Sequence, residues 1–505
     1  MSRTRNSIKN SLVSVFFQTI ELLLNFLVRI FFIKYLTKTD LGINGLFTNI
    51  LNVLSLAELG IGEAINFSMY KPLAEKDFNT IGKILNYYKK VYLAIGGIIT
   101  ILSILLMPFL GLFLGGVEYS NRIAVIYLLF VANTTVSYLF SYKRNLLIAD
   151  QKTYITAILK FIFYTIFKVL QIVYLTIWKN FIGYLVLQVI ETILEYFSIA
   201  IAANKIYPFL KKKSNEKINE KYKKEIVKNT KAMMLHKIGD VVVNSTDNIL
   251  ISKIIGIEAV GIYSNYYMIT SSLNLIYSQI FSAITSSVGN LCVDEDENKK
   301  YNIFCRLDFL TFILFGISSI ILYNVFNDFI LMWVGKEYLF SNLIVIIICL
   351  NFYLAGMRKA VQTFREATGL YYKDKWKAIV EALVNIIFSI ILGKKYGIAG
   401  IFIGTTITYL TTCSFIEPFV LYKYCFNTRF IKYIFEFVKR ITIIILIILL
   451  SSIICNLIKF NLILRFIAKI LISTFIGCLI IYIFYYKDSN FHWILSLCKN
   501  KIKKI

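Results

Sequence analysis

Long apolar stretches recur from one end of the chain to the other, and short polar segments separate them. A helix needs about 20 mostly apolar residues to cross the hydrocarbon core of a bilayer, which is about 30 Å thick. The pattern predicts an all-α polytopic membrane protein with 14 transmembrane helices and no segment long enough for a soluble catalytic domain. The predicted spans are 11–36, 41–67, 91–114, 122–142, 154–178, 181–204, 232–255, 258–285, 307–326, 340–357, 377–393, 397–422, 441–458 and 462–486.

The basic residues are crowded in every second polar segment. The 505 residues include 55 Lys and Arg against 29 Asp and Glu, which gives a formal net charge of +26. With a cytoplasmic N-terminus, inner segments hold 40 of these cations, outer segments hold 8, and 7 lie within spans. Because cytoplasmic segments of membrane proteins are rich in Lys and Arg, we expect both termini to be cytoplasmic. We expect no nucleic-acid partner, since the cations flank apolar spans instead of forming one water-facing surface.

The two halves of the chain match weakly when the sequence is shifted by 219 residues. At this offset Leu41-Gly42-Ile43 falls on Val260-Gly261-Ile262, and six spans correspond to six. Parallel repeats of this kind are typical of transporters, whose substrate site lies near the midplane between the repeats. The alternative is that apolar composition alone produces the match. The predicted organisation is an N-lobe at 1–207, a lysine-rich cytoplasmic linker at 208–228, a C-lobe at 229–424, two further helices at 425–486 and a basic cytoplasmic tail at 487–505.

Three stretches carry a resemblance to a known family. They are MLHKIGDVVVNSTDNILISKIIGIEAVGIYSNY at 234–266, EALVNIIFSIILGKKYGIAGIFIGT at 381–405, and IKNSL at 8–12 followed by YLTKTDLGINGLF at 35–47. These stretches resemble polysaccharide flippases, the Wzx-like members of the multidrug/oligosaccharidyl-lipid/polysaccharide exporter superfamily. The resemblance implies two six-helix lobes in parallel repeat around a central cavity, plus two extra C-terminal helices.

The same resemblance implies a function and a location. Such flippases move undecaprenyl-diphosphate-linked oligosaccharide from the inner to the outer leaflet of the bacterial cytoplasmic membrane by alternating access, for cell-surface polysaccharide assembly. The implied partners are the lipid-linked glycan, membrane lipids, a polysaccharide polymerase and glycosyltransferases. No cofactor and no metal is implied, and the sequence contains no phosphate-binding loop of the type that ATP hydrolysis uses.

Four cations within the spans form the candidate substrate site. A charge at membrane depth costs about 2.5–3.5 kcal/mol, so such residues usually face a cavity or a charged partner. In one interpretation the cations line a wet cavity and replace the hydration of a diphosphate headgroup by charge-assisted hydrogen bonds. In the other they neutralise nearby carboxylates or extend to an interface. The four residues are Arg29, Lys160, Lys168 and Lys237.

Acidic residues within the spans are candidates for ion coupling or gating. They are Glu58, Asp240 and Asp247. For Asp247 the alternative is an ion pair inside one lobe, and Asp240 has the spacing of an internal pair with Lys237. Among the cations of the segment 358–377, Arg358, Lys359 and Arg365 are candidate guides for an anionic glycolipid entering from the cytoplasm. Ordinary anchoring of an inner segment explains that segment equally well.

Three other classes of protein remain open at this stage. A multidrug or cation exporter shares the same general architecture, although the cations within the spans disfavour cationic cargo. A membrane-embedded glycan polymerase or ligase needs catalytic groups in a sizeable outer loop, and the largest outer segment, at about 327–340, offers no such cluster. A scaffold subunit of a synthase complex would show no transport after purification and reconstitution.

Overall fold

The protein is described by a computed structural model. It describes residues 3–58, 61–211, 223, 241, 245–294, 296–368, 370, 376–426 and 428–502, and regular secondary structure in these ranges is helical. The helices are α1 (Arg3–Tyr35), α2 (Lys38–Leu54), α3 (Ile61–Glu75), α4 (Phe78–Leu106), α5 (Asn121–Ala149), α6 (Thr153–Trp178), α7 (Phe181–Ile206), α8 (245–254), α9 (Ile257–Asp294), α10 (Glu297–Trp333), α11 (Asn342–Thr368), α12 (Lys377–Thr408), α13 (Ser414–Leu421), α14 (Ile431–Asn456), α15 (Leu462–Tyr485) and α16 (Ser489–Ile502).

Ten helices of the described residues are long and apolar enough to cross a membrane. This result confirms a multi-pass membrane protein. The count of 14 stays a prediction, because the ten include the 50-residue stretch Lys377–Phe426, in which the sequence predicts two spans. The ten leave out the predicted spans 41–67 and 258–285. Half of the predicted span 232–255, residues 232–240 and 242–244, lies outside the described residues.

The second predicted span, 41–67, is interrupted. Helix α2 ends at Leu54, one 3₁₀ turn follows at Ser55–Glu58, and α3 begins at Ile61. Non-helical backbone at membrane depth is tolerated only where protein buries it or where water reaches it. The interruption therefore places Glu58 at a point of the first half that is packed by protein or wet.

The helical stretch α12 reverses direction at one residue. Gly397 has φ 64° and ψ −140°, a conformation that glycine adopts without the steric cost of a Cβ. After the reversal the chain packs back on itself, because a Cβ at Gly400 would collide with the carbonyl of Leu392 and one at Gly404 would lie 2.5 Å from the nitrogen of Ser389. Gly400 and Gly404 therefore allow the two helical segments to approach closely, and the reversal agrees with the predicted break between the spans 377–393 and 397–422.

The chain divides into two compact units, Met1–Gly261 and Ile262–Ile505. In the first unit α1 packs on α6, and α5 packs on both α4 and α7. In the second unit α10 is the central helix and contacts α11, α14 and α15. The predicted lobe boundaries at 207 and 229 stay predictions, since most of the residues between 212 and 244 lie outside the described part.

Polar contacts fix the last two apolar helices to α10. Asp328 on α10 accepts hydrogen bonds from Arg465 at 2.7 Å and pairs with Lys469 at 2.8 Å, both on α15. Asn324, one turn earlier on α10, donates to Ser451 of α14 at 2.9 Å and to Ser473 of α15 at 3.0 Å. Such contacts have few competitors in an apolar surrounding, so they hold α14 and α15 in one register against α10.

Candidate functional site

Six ionisable side chains on four helices form what we call the first-unit charge cluster. Each lies within electrostatic range of at least one other member. Residues four apart share one helix face, as Glu191 and Glu195 do on α7, and residues eight apart, such as Lys160 and Lys168 on α6, lie close to the same face. The cluster consists of Glu21 on α1, Arg144 on α5, Lys160 and Lys168 on α6, and Glu191 and Glu195 on α7.

Lys160 joins α6 to α1. Its Nζ donates to Oε2 of Glu21 at 2.6 Å. One turn further along both helices, the hydroxyl of Tyr164 donates to Oδ1 of Asn25. The sequence separation is 139 residues in both pairs, so α1 and α6 run in the same direction and are in register over this turn.

Lys168 is buried in a second pair, between α6 and α7. Its Nζ lies 3.7 Å from Oε2 of Glu191 and donates to Oε1 of Gln171 at 2.9 Å. The amide of Gln171 in turn donates to the carbonyl of Tyr184 at 3.2 Å. Only 9% of the Lys168 side chain is exposed, so this cation neutralises a carboxylate inside the unit, as the second interpretation of the sequence predicted.

Arg144 is a member that sequence reasoning missed. Its Nη1 donates to the hydroxyl of Tyr196 at 3.1 Å, and Glu195 and Glu21 lie within electrostatic range of it. The predicted span ended at 142, which put Arg144 among the inner anchoring cations. Helix α5 continues to Ala149, and the apolar residues LLIA at 146–149 are the signal that would have extended the span.

The first-unit charge cluster contains three cations and three carboxylates, so its formal charge is zero. A neutral cluster differs from the cavity lined by cations that one interpretation of the sequence predicts. Paired side chains at membrane depth avoid most of the cost of an isolated charge. Such pairs can also exchange one partner for an incoming ion, which gives the cluster a chemical capacity beyond structural pairing.

The other two predicted cations of the substrate site are Arg29 and Lys237. Arg29 is half-buried on α1, two turns beyond Glu21, and contacts neighbouring groups. Lys237 and the predicted coupling residue Asp240 lie outside the described residues. The structure therefore brings Lys160 and Lys168 together on one helix and leaves the grouping of all four cations a prediction.

Two predicted acidic residues are placed by the structure. Glu58 lies in the interruption between α2 and α3, where the hydroxyl of Tyr138 forms a hydrogen bond with it. Tyr92 of α4 lies within electrostatic range of Glu58 and accepts a hydrogen bond from Asn145 at 2.9 Å. Asp247 is buried on α8 and contacts neighbouring groups. Their roles in coupling or gating stay predictions.

A second set of charges, which we call the second-unit charge cluster, consists of Arg358, Arg365, Lys377, Glu381 and Glu417. Glu417 accepts from Arg358 at 3.1 and 3.0 Å, from Arg365 at 2.8 Å and from Lys377 at 2.7 Å. Glu381 pairs with Arg358 at 3.4 Å and with Lys377. All five side chains are buried, and the cluster ties the ends of α11 and α12 to α13.

Arg358 and Arg365 follow the predicted end of a span but lie inside a helix, and their role as guides for an anionic glycolipid stays a prediction. Both are buried on α11, which continues to Thr368 instead of ending near 357. The physical reason is the apolar residues Val361 and Phe364, whose burial carries the helix past the predicted end of the span. Lys359, the third predicted entry residue, is half-buried and contacts neighbouring groups.

The charged side chains of both clusters form ion pairs. Within the part of the chain that the structure describes, no group of three or more His, Cys, Asp or Glu side chains is arranged to hold a metal ion. Each cation of the two clusters has at least one carboxylate nearby. The chemistry available at the clusters is therefore the binding and exchange of charged groups.

The fold is similar to that of solved multi-pass membrane flippases and transporters. The lipid II flippase MurJ in an inward closed conformation is similar with a TM-score of 0.65 at 18% identity, over 95% of this chain and 99% of that chain. A mutant of the Vibrio cholerae MATE transporter VcmN is similar with a TM-score of 0.61 at 13% identity, over 85% and 98% of the two chains. An inward-facing multidrug resistance MATE family transporter of the MOP superfamily gives 0.55 at 12% identity, over 82% and 98%.

The family follows from the sequence itself. The model of the family described as polysaccharide biosynthesis protein matches residues 7–285, which is more than half of the chain. The chain therefore belongs to the polysaccharide biosynthesis protein family. A search of curated proteins found no significant match. The family assignment confirms the resemblance on which the sequence analysis relied.

Proposed function

We propose that this protein moves an undecaprenyl-diphosphate-linked oligosaccharide from the inner to the outer leaflet of a bacterial cytoplasmic membrane. The observation that carries the proposal is the family match over 7–285, on a chain whose described residues include ten helices long and apolar enough to cross a membrane. Flipping proceeds by alternating access between two six-helix lobes in a chain of 14 spans with both termini cytoplasmic. The product serves the assembly of a surface polysaccharide, together with a polymerase and glycosyltransferases.

The charged residues support the proposal because the headgroup to be moved is a dianion or more. Lys160 and Arg29 are the cations that we assign to the diphosphate, since Lys168 is held in a buried pair. Lys237 belongs to the same proposal from the sequence alone. Glu58 and Asp247 are assigned to coupling or gating, as is Asp240, and none of these assignments requires a bound metal.

The lipid extract of a strain that lacks the gene tests this function. We expect a diphosphate-linked glycan to accumulate in the inner leaflet and the surface polysaccharide to disappear. Expression of the wild-type chain restores both, and mass spectrometry of the accumulated lipid identifies the sugar. Normal lipid pools with normal surface polysaccharide would refute the proposal.

A multidrug exporter is the second candidate, because MATE transporters share the fold at TM-scores of 0.61 and 0.55. The two functions differ in the charge of the cargo. Growth inhibition by cationic dyes separates them, since an exporter confers resistance when it is overproduced and a flippase does not. Resistance that is lost on deletion would favour the exporter.

A further inference from the structure

The two faces of α6 differ in how far their residues are buried. Ile158 and Ile162 are exposed on the outer face of the helix. Lys160 lies on the opposite face, which it shares with the buried residues Thr156 and Gln171. Even so, 38% of the Lys160 side chain is exposed. Because contact between an ammonium group and lipid is costly, this exposure on the packing side indicates a space that water and polar solutes reach.

Glu21 is the residue that holds this accessible cation. It accepts from Lys160 at 2.6 Å, and 13% of its own side chain is exposed. In the neighbouring pair, the side chains of Lys168 and Glu191 are both buried, and each is 9% exposed. Of these two pairs on α6, therefore, a solute can reach only the one formed by Lys160.

A mobile anion and Glu21 compete for the same donor. Phosphate oxygens accept charge-assisted hydrogen bonds from lysine much as a carboxylate does. An anion that displaces Glu21 gains the Lys160 contact only by breaking the existing pair. The carboxylate that is released stays near Arg144, the third cation of the cluster, within electrostatic range.

We propose that Glu21 is an internal counter-ion, which occupies Lys160 while the protein is empty and which the diphosphate group of the substrate displaces. This inference rests on the proposed function and adds a regulatory residue to its site. The exchange lowers the affinity for the headgroup, and it also provides a way to release it, because Glu21 returns to Lys160 as the diphosphate leaves. A flippase gains from this, since a headgroup that is bound too tightly is not released on the other side.

Binding of a short prenyl diphosphate to the full-length protein in lipid nanodiscs tests the inference. The probes are farnesyl diphosphate, inorganic pyrophosphate and uncharged farnesol. With Glu21→Gln we expect the Kd of farnesyl diphosphate to fall by a factor of at least about five, because the carboxylate no longer competes for Lys160. A fivefold change in Kd corresponds to about 1 kcal/mol. A similar gain in affinity for pyrophosphate shows that the diphosphate group alone displaces Glu21. A gain for farnesyl diphosphate but not for pyrophosphate shows that the prenyl chain must bind as well.

Four further variants make the result decisive. Lys160→Gln is expected to bind the diphosphate more weakly than wild type, and Glu21→Gln combined with Lys160→Gln loses the gain. Glu75→Gln removes the same charge from an exposed pair, in which Glu75 is 59% exposed and 3.9 Å from Lys71, and leaves affinity unchanged. Glu21→Asp, which keeps the charge and shortens the side chain, gives an intermediate affinity and covers the case in which the Gln variant does not fold.

The outcomes separate this inference from the proposed function. If wild type binds farnesyl diphosphate and the Gln and Asp variants at Glu21 bind it equally well, the counter-ion is refuted while the flippase stands. The same conclusion follows if farnesol shows the gain, because charge is then irrelevant. If no variant binds a diphosphate, the inference fails, and the lipid extract of the deletion strain decides the proposed function independently.

Discussion

Replacing Glu417 by Gln removes the negative charge that three buried cations of the second-unit charge cluster share. Glu417 is 2% exposed and accepts four hydrogen bonds, two of them from Arg358 and one each from Arg365 and Lys377. The neutral amide keeps the shape of the side chain and one acceptor oxygen. It leaves Glu381 as the one carboxylate of the cluster against three cations.

The magnitude follows from these contacts. A hydrogen bond to a charged group contributes about 1.5–3 kcal/mol. The amide oxygen can keep the three hydrogen bonds that Oε1 of Glu417 accepts, although without the full negative charge, and the hydrogen bond from Nε of Arg358 to Oε2 is lost. Glu381 still pairs with Arg358 and Lys377, which offsets part of the loss. Breaking a buried ion pair by removing one partner costs about 3–5 kcal/mol, and we expect the Glu417→Gln variant to lose that amount of unfolding free energy.

Denaturant titration of the purified protein in detergent, followed by tryptophan fluorescence, measures this loss. Glu75→Gln is the matched control, because Glu75 is 59% exposed and pairs with the exposed Lys71 at 3.9 Å. We expect the control to change the unfolding free energy by less than about 0.5 kcal/mol. Glu417→Asp keeps the charge and should lose clearly less than the Gln variant. A Glu417→Gln protein within about 1 kcal/mol of wild type would refute the reasoning.

Two further predictions concern a buried ion pair and the close packing of helices. Asp308→Asn leaves the buried Arg440 on α14 without its charged partner on α10, so we expect a loss of about 3–5 kcal/mol, measured by the same titration. Gly400→Ala places a methyl group against the carbonyl of Leu392, and we expect a large drop in the yield of folded protein by size-exclusion chromatography. Gly82→Ala on α4 meets no atom within 4 Å and is expected to keep or raise stability by about 0.5–1 kcal/mol. A stable Gly400→Ala protein or an unstable Gly82→Ala protein would contradict the packing argument.

The apolar pattern predicts membrane helices well, because about 20 apolar residues have few other uses in a folded chain. It also located the reversal near Gly397 from a drop in apolar character at Lys394 and Lys395. The apolar pattern predicted the ends of some helices wrongly. Arg440 was placed in an inner segment because the predicted span began at 441, whereas α14 begins at Ile431 and buries Arg440 against Asp308.

The candidate sites were less predictable than the fold. Sequence alone named Lys168 and Glu191 as ionisable groups within the spans, but the choice between a phosphate contact and an internal pair depends on which helices are neighbours. Hydrophobic periodicity gives the buried face of a helix and not the identity of the helix packed against it. The pairs Lys160 with Glu21 and Arg440 with Asp308 join residues more than 130 positions apart, a distance that no local pattern bridges.

The exposure of the two charge clusters separates a structural role from a functional one. The second-unit charge cluster buries every member, so its three cations serve to fix α11, α12 and α13, and no solute reaches them without a rearrangement of those helices. The first-unit charge cluster is balanced in charge, and its α6 face exposes Lys160. An accessible cation that already has a partner binds an anion only by exchange, and the affinity then depends on the carboxylate as much as on the lysine. It follows that the substitution most informative about transport is the one at Glu21, a carboxylate, although the substrate that we propose is itself an anion.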